Sequence, residues 1–253
     1  MRKGAEHDPK EMTFLEHLEE LRWVLIRSGV AIVLLACASW FFAELIMEEV
    51  LIRPLHQHFP DYELIYLKPA GAFLALISIS LWTAAIVGLP YLAVEIWRFI
   101  APGLFSRERR LIPLVLIVTI VCFIMGALLA YFVVLPIAIR FFLNIGSDLF
   151  RPYIEVKEYL SFSMRLILAF GIVFELPVLS FFLSRLGLLT PAVMRTIRGY
   201  AIFGIAVLSA MITPPDPASM LLLMGPLVLL YEVSIFVSWL AARRRRESLP
   251  AES

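Results

Sequence analysis

"GYAIFGIAVLSAMITPPDP", Gly199 to Pro217, decides how this chain is threaded. Its apolar part covers 199–213. At 1.5 Å per residue, about 14 residues of helix reach only ~21 Å. The hydrocarbon of a bilayer is ~30 Å thick, so the run is short for a crossing. The "TPPDP" that closes it has three prolines in five residues and can only be a tight break between helices. Whether the run crosses a membrane fixes the side on which everything after it lies.

The rest of the chain settles the class. It has 253 residues, 61% hydrophobic and 17% charged, with a mean hydropathy of +0.88. A soluble domain is nearer half apolar and a quarter charged, so a polytopic helical membrane protein is predicted. Six apolar segments run over about 23–43, 72–97, 111–139, 160–183, 199–213 and 218–240. They are continuous, without the alternation of an outer-membrane barrel, and so are read as helices. With the N-terminus in the cytoplasm, the inner segments hold 16 Lys and Arg and the outer ones 6. That is a strong positive-inside asymmetry. If 199–213 did not span, Arg243 to Arg246 would fall outside. It is therefore taken as a short fifth span, with both termini cytoplasmic and the mismatch absorbed by thinning or tilt. Residues 1–246 form one six-span domain, and 247–253 a polar tail.

Pro90, Pro113, Pro136, Pro177 and Pro226 lie within or near spans and predict kinks that shape a concave bundle. The outer segments, about 44–71 and 140–159, are apolar and aromatic enough to cap the surface. Cys37 and Cys122 lie in apolar runs and suit packing, not a disulfide framework or zinc site. The N-terminal "MRKGAEHDPKEMTF" resembles neither a secretory signal nor a transit peptide.

Several residues carry candidate chemistry. "TFLEHLEELRWVL" has capping-box spacing at Thr13 and Glu16, so a helix starts there. Phe14, Leu18, Leu21 and Leu25 make its apolar stripe, and Glu16 and Glu20 lie one turn apart on another side. This helix is expected at the cytoplasmic interface before the first span. An acidic face is unlike a lipid anchor, which carries Lys and Arg, and suits a basic partner. Glu108, within "FSRERR", can interact with the dipole of the third span after Ser106 caps it, or can face a ligand. Glu175 and Glu232 sit inside spans, where a carboxylate is costly unless paired or protonated. Both could face one cavity. Arg165 can snorkel from the fourth span, and Glu95 can pair with Arg98 one turn on. "HQH", His56 to His58, lacks a third metal ligand, and Asp216 can cap the sixth span. Nucleotide-binding and metalloprotease signatures are absent, so no cofactor or metal is expected and transport would draw on a partner or an ion gradient.

At this point the chain resembles the TatC family, the polytopic core of the twin-arginine protein translocase. The motifs are "FLEHLEELR" (14–22), "WRFIAPGLFSRERR" (97–110), "AYFVVLP" (130–136), "YLSF" (159–162), "FGIVFELPV" (170–178) and "TPPD" (213–216). The resemblance implies a non-enzymatic receptor in the bacterial cytoplasmic (inner) membrane. It would bind twin-arginine signal peptides and, with the single-span partners TatA and TatB in an oligomeric complex, export folded cargo on the proton motive force. It implies no nucleic-acid partner. By the same resemblance Glu20 and Glu108 bind the arginines, and Arg22, Phe99 and Pro102 support them. Glu175 faces the concave bundle, toward a partner or a proton, while Pro54, Tyr131, Asp216 and Glu232 match positions of less settled role. Arginine chemistry agrees, because a guanidinium takes a carboxylate bidentately and lysine cannot copy that. The competing reading is a proton-coupled small-solute transporter with Glu175 and Glu232 as its relay. Such proteins often show inverted repeats, which are not seen here.

Overall fold

A computed structural model describes residues 14–59, 64–101, 112–144, 153–213 and 216–247. Pro102, Glu108 and the Thr13 cap lie outside the described residues. Eleven helices can be named. They are α1 (Phe14–Trp40), α2 (Ala43–Ile46), α3 (Arg53–His58), α4 (Gly71–Ile100), α5 (Ile112–Leu129), α6 (Leu135–Asn144), α7 (Val156–Val173), α8 (Leu176–Leu186), α9 (Pro191–Thr196), α10 (Arg198–Ile212) and α11 (Pro217–Glu247). Among the described residues, five continuous stretches are long and apolar enough to cross a membrane: His17–Trp40, Gly71–Ile100, Ile112–Asn144, Val156–Leu186 and Pro217–Arg243. The sixth apolar helix, Arg198–Ile212, is shorter, as its sequence requires.

Prolines account for the irregularities. A π-helical turn, Met47–Ile52, joins α2 to α3 and ends just before Pro54. A second, Ala130–Val134, joins α5 to α6 before Pro136. Proline lacks an N–H and its ring crowds the carbonyl four residues back, which the wider turn relieves. Pro177 has a sharper effect. It breaks the fourth long stretch at Phe174 and Glu175, so that Glu175 sits at the N-terminus of α8. Pro90 and Pro226 are carried inside α4 and α11 without ending either helix.

The α1 helix differs from expectation in one way. It runs unbroken from Phe14 to Trp40, so no separate interfacial helix turns into the first span. The stretch has no proline, and its first glycine is Gly29, so nothing in it interrupts the backbone ladder. Its apolar stripe is not its most buried side. Leu18, Leu21 and Leu25 are exposed, whereas Val24 and Ser28 are buried. In lipid there is little reason to hide leucine from the surroundings, and helices meet through polar and small side chains instead.

The α1–α4 seam shows this along its length. His17 stacks on Phe99 with centroids 4.2 Å apart, and Arg27 reaches Glu95 at 3.4 Å. Gly88 then lets Ile32 and Leu35 approach α4, and Trp40 meets Phe73 edge-on. The α5–α7 contact is closer still. A Cβ on Gly126 would lie 2.7 Å from the Phe170 carbonyl oxygen, and one on Gly171 would run into the Phe123 ring. Between α8 and α11, the Ser180 hydroxyl donates to the Ser234 carbonyl at 3.0 Å, and the Ser184 and Ser238 hydroxyls share a hydrogen bond of 2.7 Å.

The described parts of the two segments expected to cap the outer surface pack together at one end. Leu51 and Leu55 are buried there in the main core, with Ile79, Leu160 and Phe170. Strand β1 (Leu64–Ile65) pairs in parallel with β2 (Ile154–Glu155), Leu64 opposite Ile154. The Tyr159 hydroxyl donates to the Leu51 carbonyl at 3.0 Å, and Tyr131 donates to the Val50 carbonyl at 2.7 Å. In an ordinary α-helix the Val50 carbonyl would accept from the N–H of residue 54, which in proline does not exist. Pro54 and Tyr131 are thus two halves of one backbone arrangement.

Candidate functional site

At the other end lies an apolar groove of about 400 Å³, lined by Leu21, the residue after Glu20 on α1. Leu21 and Leu25 of α1, Pro90 and Phe99 of α4, Thr119 of α5 and Glu175 between α7 and α8 are among the residues that line it. The concavity follows from the Pro177 break, which puts a bend in the fourth stretch opposite α1 and α4.

Glu20 lies on the face of α1 that turns to α4, between two ties. The His17–Phe99 stack is one turn before it, and the Arg27–Glu95 ion pair two turns after it. Among the described residues the ionisable side chain within 4 Å of it is the imidazole of His17, at 3.9 Å, too far for a hydrogen bond. One Glu20 carboxylate oxygen is buried without a hydrogen-bond partner among the described residues. Buried polar atoms are nearly always paired, so an unpaired acceptor of this kind is a place for a donor. Arg22 is exposed beside it.

Glu175 is half-buried in the groove wall, and one of its oxygens is also unpaired among the described residues. Glu232 is elsewhere. Its carboxylate meets the Arg198 guanidinium at 2.7 Å, joining α10 to α11, and it does not line the groove. The expected shared cavity of Glu175 and Glu232 is therefore not formed. The helices decide this: α8 and α11 meet through their serines, and Glu232 points instead to the start of α10. Asp216 caps α11 as its position implied. It accepts the Ser219 N–H at 2.7 Å and the Ser219 hydroxyl. The hydroxyl first, then the N–H, holds its carboxyl below the usual carboxylate range.

Glu95 carries more than its sequence neighbours suggest. It is only 1% exposed, and besides Arg98 at 3.2 Å it holds Arg27 of α1. An arginine inside an apolar run, seven residues after Glu20 and hence on the same helical face, was the available signal. Its partner could be found only in three dimensions. His17 and Tyr159 belong with it as residues whose contacts the pattern did not disclose.

A family model described as Sec-independent protein translocase protein (TatC) matches residues 16–226. The chain belongs to the TatC family. The TatC protein of Aquifex aeolicus is 40% identical over 238 residues, which cover 93% of this chain and 98% of that one. That of Magnetococcus marinus is 39% identical over 239 residues, 94% of this chain and 88% of the relative. A crystal structure of the twin arginine translocase receptor TatC superposes with a TM-score of 0.84 at 40% identity, covering 90% of this chain and all of the other. This TatC-family chain is accordingly an all-α membrane protein of a protein translocase, a transport component and not an enzyme.

Proposed function

We infer that the chain is the receptor for twin-arginine signal peptides in a translocase of the bacterial cytoplasmic membrane. It has six spans in one domain over residues 1–246, with both termini and the polar tail 247–253 in the cytoplasm. The observation that carries this reading is the Glu20 carboxylate, next to the groove-lining Leu21, with a buried oxygen that has no donor among the described residues. An arginine supplies what the site lacks: a permanent charge and a planar fork of N–H groups. Glu20 takes one guanidinium of the pair and Glu108 the other, with Phe99, stacked on His17, and with Arg22 and Pro102 in support of the site. The apolar groove accepts the hydrophobic stretch that follows the arginines. Glu175 waits at its depth for a polar group of a partner or for a proton. TatA and TatB are the single-span partners, assembly is oligomeric, and the proton motive force drives export of folded cargo.

The pairing of Glu232 with Arg198 weighs against a proton relay between Glu175 and Glu232, and with it against the small-solute transporter. Pull-down of the detergent-solubilised protein by an Arg-Arg signal peptide, but not by its Lys-Lys counterpart, tests the reading. Glu20→Ala and Glu108→Ala should each abolish capture while the protein still inserts. Capture that survives both substitutions, or equal capture of the two peptides, sinks it.

A further inference from the structure

At the β-strand end, a second recess of about 440 Å³ lies between α6, α7 and the end of α10. Its volume is in the ~300–1,000 Å³ range of small-ligand sites. Phe142 and Phe162 supply apolar walls, and Arg165, Glu158 and Thr213 also line it. Arg165 and Glu158 are both exposed, and neither makes an ion pair or hydrogen bond among the described residues.

The depth of this recess follows from the short helix. Arg165 is nine residues into α7, ~13 Å below its start at 1.5 Å per residue. Yet Arg165 and Thr213, the residue that ends α10, line the same cavity. The cavity runs from Ile154 of β2 along α7, past Glu158 to Arg165, and the end of α10 borders it through Ile212 and Thr213. Water and headgroups must reach the polar turn that ends this short helix, because it cannot sit in hydrocarbon. An arginine based inside a span and lining such a recess suits an anionic partner.

We propose that this recess binds one phospholipid headgroup, its phosphate on Arg165 and its ammonium toward Glu158, so that it selects phosphatidylethanolamine over phosphatidylglycerol. A guanidinium and a phosphate match in geometry and charge. Glu158 is two turns toward the helix start on the same face, ~10 Å away at 1.5 Å per residue, a gap that a zwitterionic headgroup bridges with its phosphate at one end and its ammonium at the other. A headgroup bearing an amine satisfies both residues. A headgroup with net negative charge satisfies Arg165 but meets repulsion at Glu158. The lipid tails then cover Phe142 and Phe162.

The test uses the full chain in vesicles of equal phosphatidylethanolamine and phosphatidylglycerol, then extraction, washing and mass-spectrometric counting of the lipid retained. The expected result is about one phosphatidylethanolamine per chain, at least tenfold over phosphatidylglycerol. Arg165→Gln should lower retention about tenfold, and Arg165→Lys, which keeps the charge, should restore most of it. Glu158→Gln, at an exposed position, should keep retention but abolish the preference. Equal retention of the two lipids by the unaltered chain, no retained lipid, or retention unchanged in Arg165→Gln overturns the proposal. None of these readouts depends on signal-peptide binding, so this site and the receptor reading stand or fall separately.

Discussion

The bond between Tyr131 and the Val50 carbonyl should matter because of Pro54. Tyr131→Phe removes one hydroxyl and no apolar contact. The net value of a hydrogen bond is ~1 kcal/mol, and an acceptor left buried without a donor costs ~1–3 kcal/mol. Val50 is 37% exposed, so water can replace part of the loss. A destabilisation of about 1–1.5 kcal/mol is expected on these grounds. The diagnostic step is Pro54→Ala, which returns an N–H to residue 54 and lets the π-helical turn close to the α register, in which that N–H meets the Val50 carbonyl. In that background Tyr131→Phe should cost less than ~0.5 kcal/mol, a coupling above the scatter of independent sites. Tyr159→Phe is the control. Its acceptor, the Leu51 carbonyl, is not the one that Pro54 orphans, so its cost should be the same with proline or alanine at 54. Reversible unfolding in mixed micelles reads all the variants. If Tyr131→Phe costs as much in the Pro54→Ala background as in the parent, the hydroxyl does not compensate for the proline.

Three further outcomes are expected. Glu175→Gln should leave capture of an Arg-Arg peptide intact and impair export in vesicles; normal export would return Glu175 to a packing role. Glu95→Ala should strand Arg27 and Arg98, loosen the seam beside Glu20 and cost about 1–3 kcal/mol in the same micelle titration; no change in stability would mean that the exposed arginines hold nothing. The Asp216 cap should depend on pH in a defined sense. Because its folded carboxyl titrates below the unfolded value, its contribution is complete above about pH 4 and is lost as pH falls through the folded value. Asp216→Asn keeps an acceptor at the cap and should remove this acid sensitivity, while an unchanged acid transition would place it in another group.

Much of the architecture was legible because hydrocarbon imposes coarse rules. Uninterrupted apolar runs must be helices, and their lengths can be counted. The shortness of 199–213 and the break at "TPPDP" reappear as α10 and the start of α11. Pro177 announced the bend at Glu175, and Asp216 its cap. The glutamates also drew attention without a structure, since a carboxylate inside a span is rare and expensive.

Facing and partnership were not legible, for a physical reason. Amphipathic patterning says which side of a helix is apolar, and in water that side turns inward. In lipid the rule loses its force, and α1 buries Val24 and Ser28 while Leu25 stays exposed. Which distant residues then meet depends on helix crossing and depth. Glu95 with Arg27, Glu232 with Arg198, and Tyr131 with Val50 each join separate elements. The sequence by itself determined the class of protein, the apolar runs and the residues with unusual chemistry. Only the tertiary structure decided that Glu175 shares a groove with Leu21 and Phe99, that Glu232 is held by Arg198, and that Arg165 shares a recess with the end of a short helix.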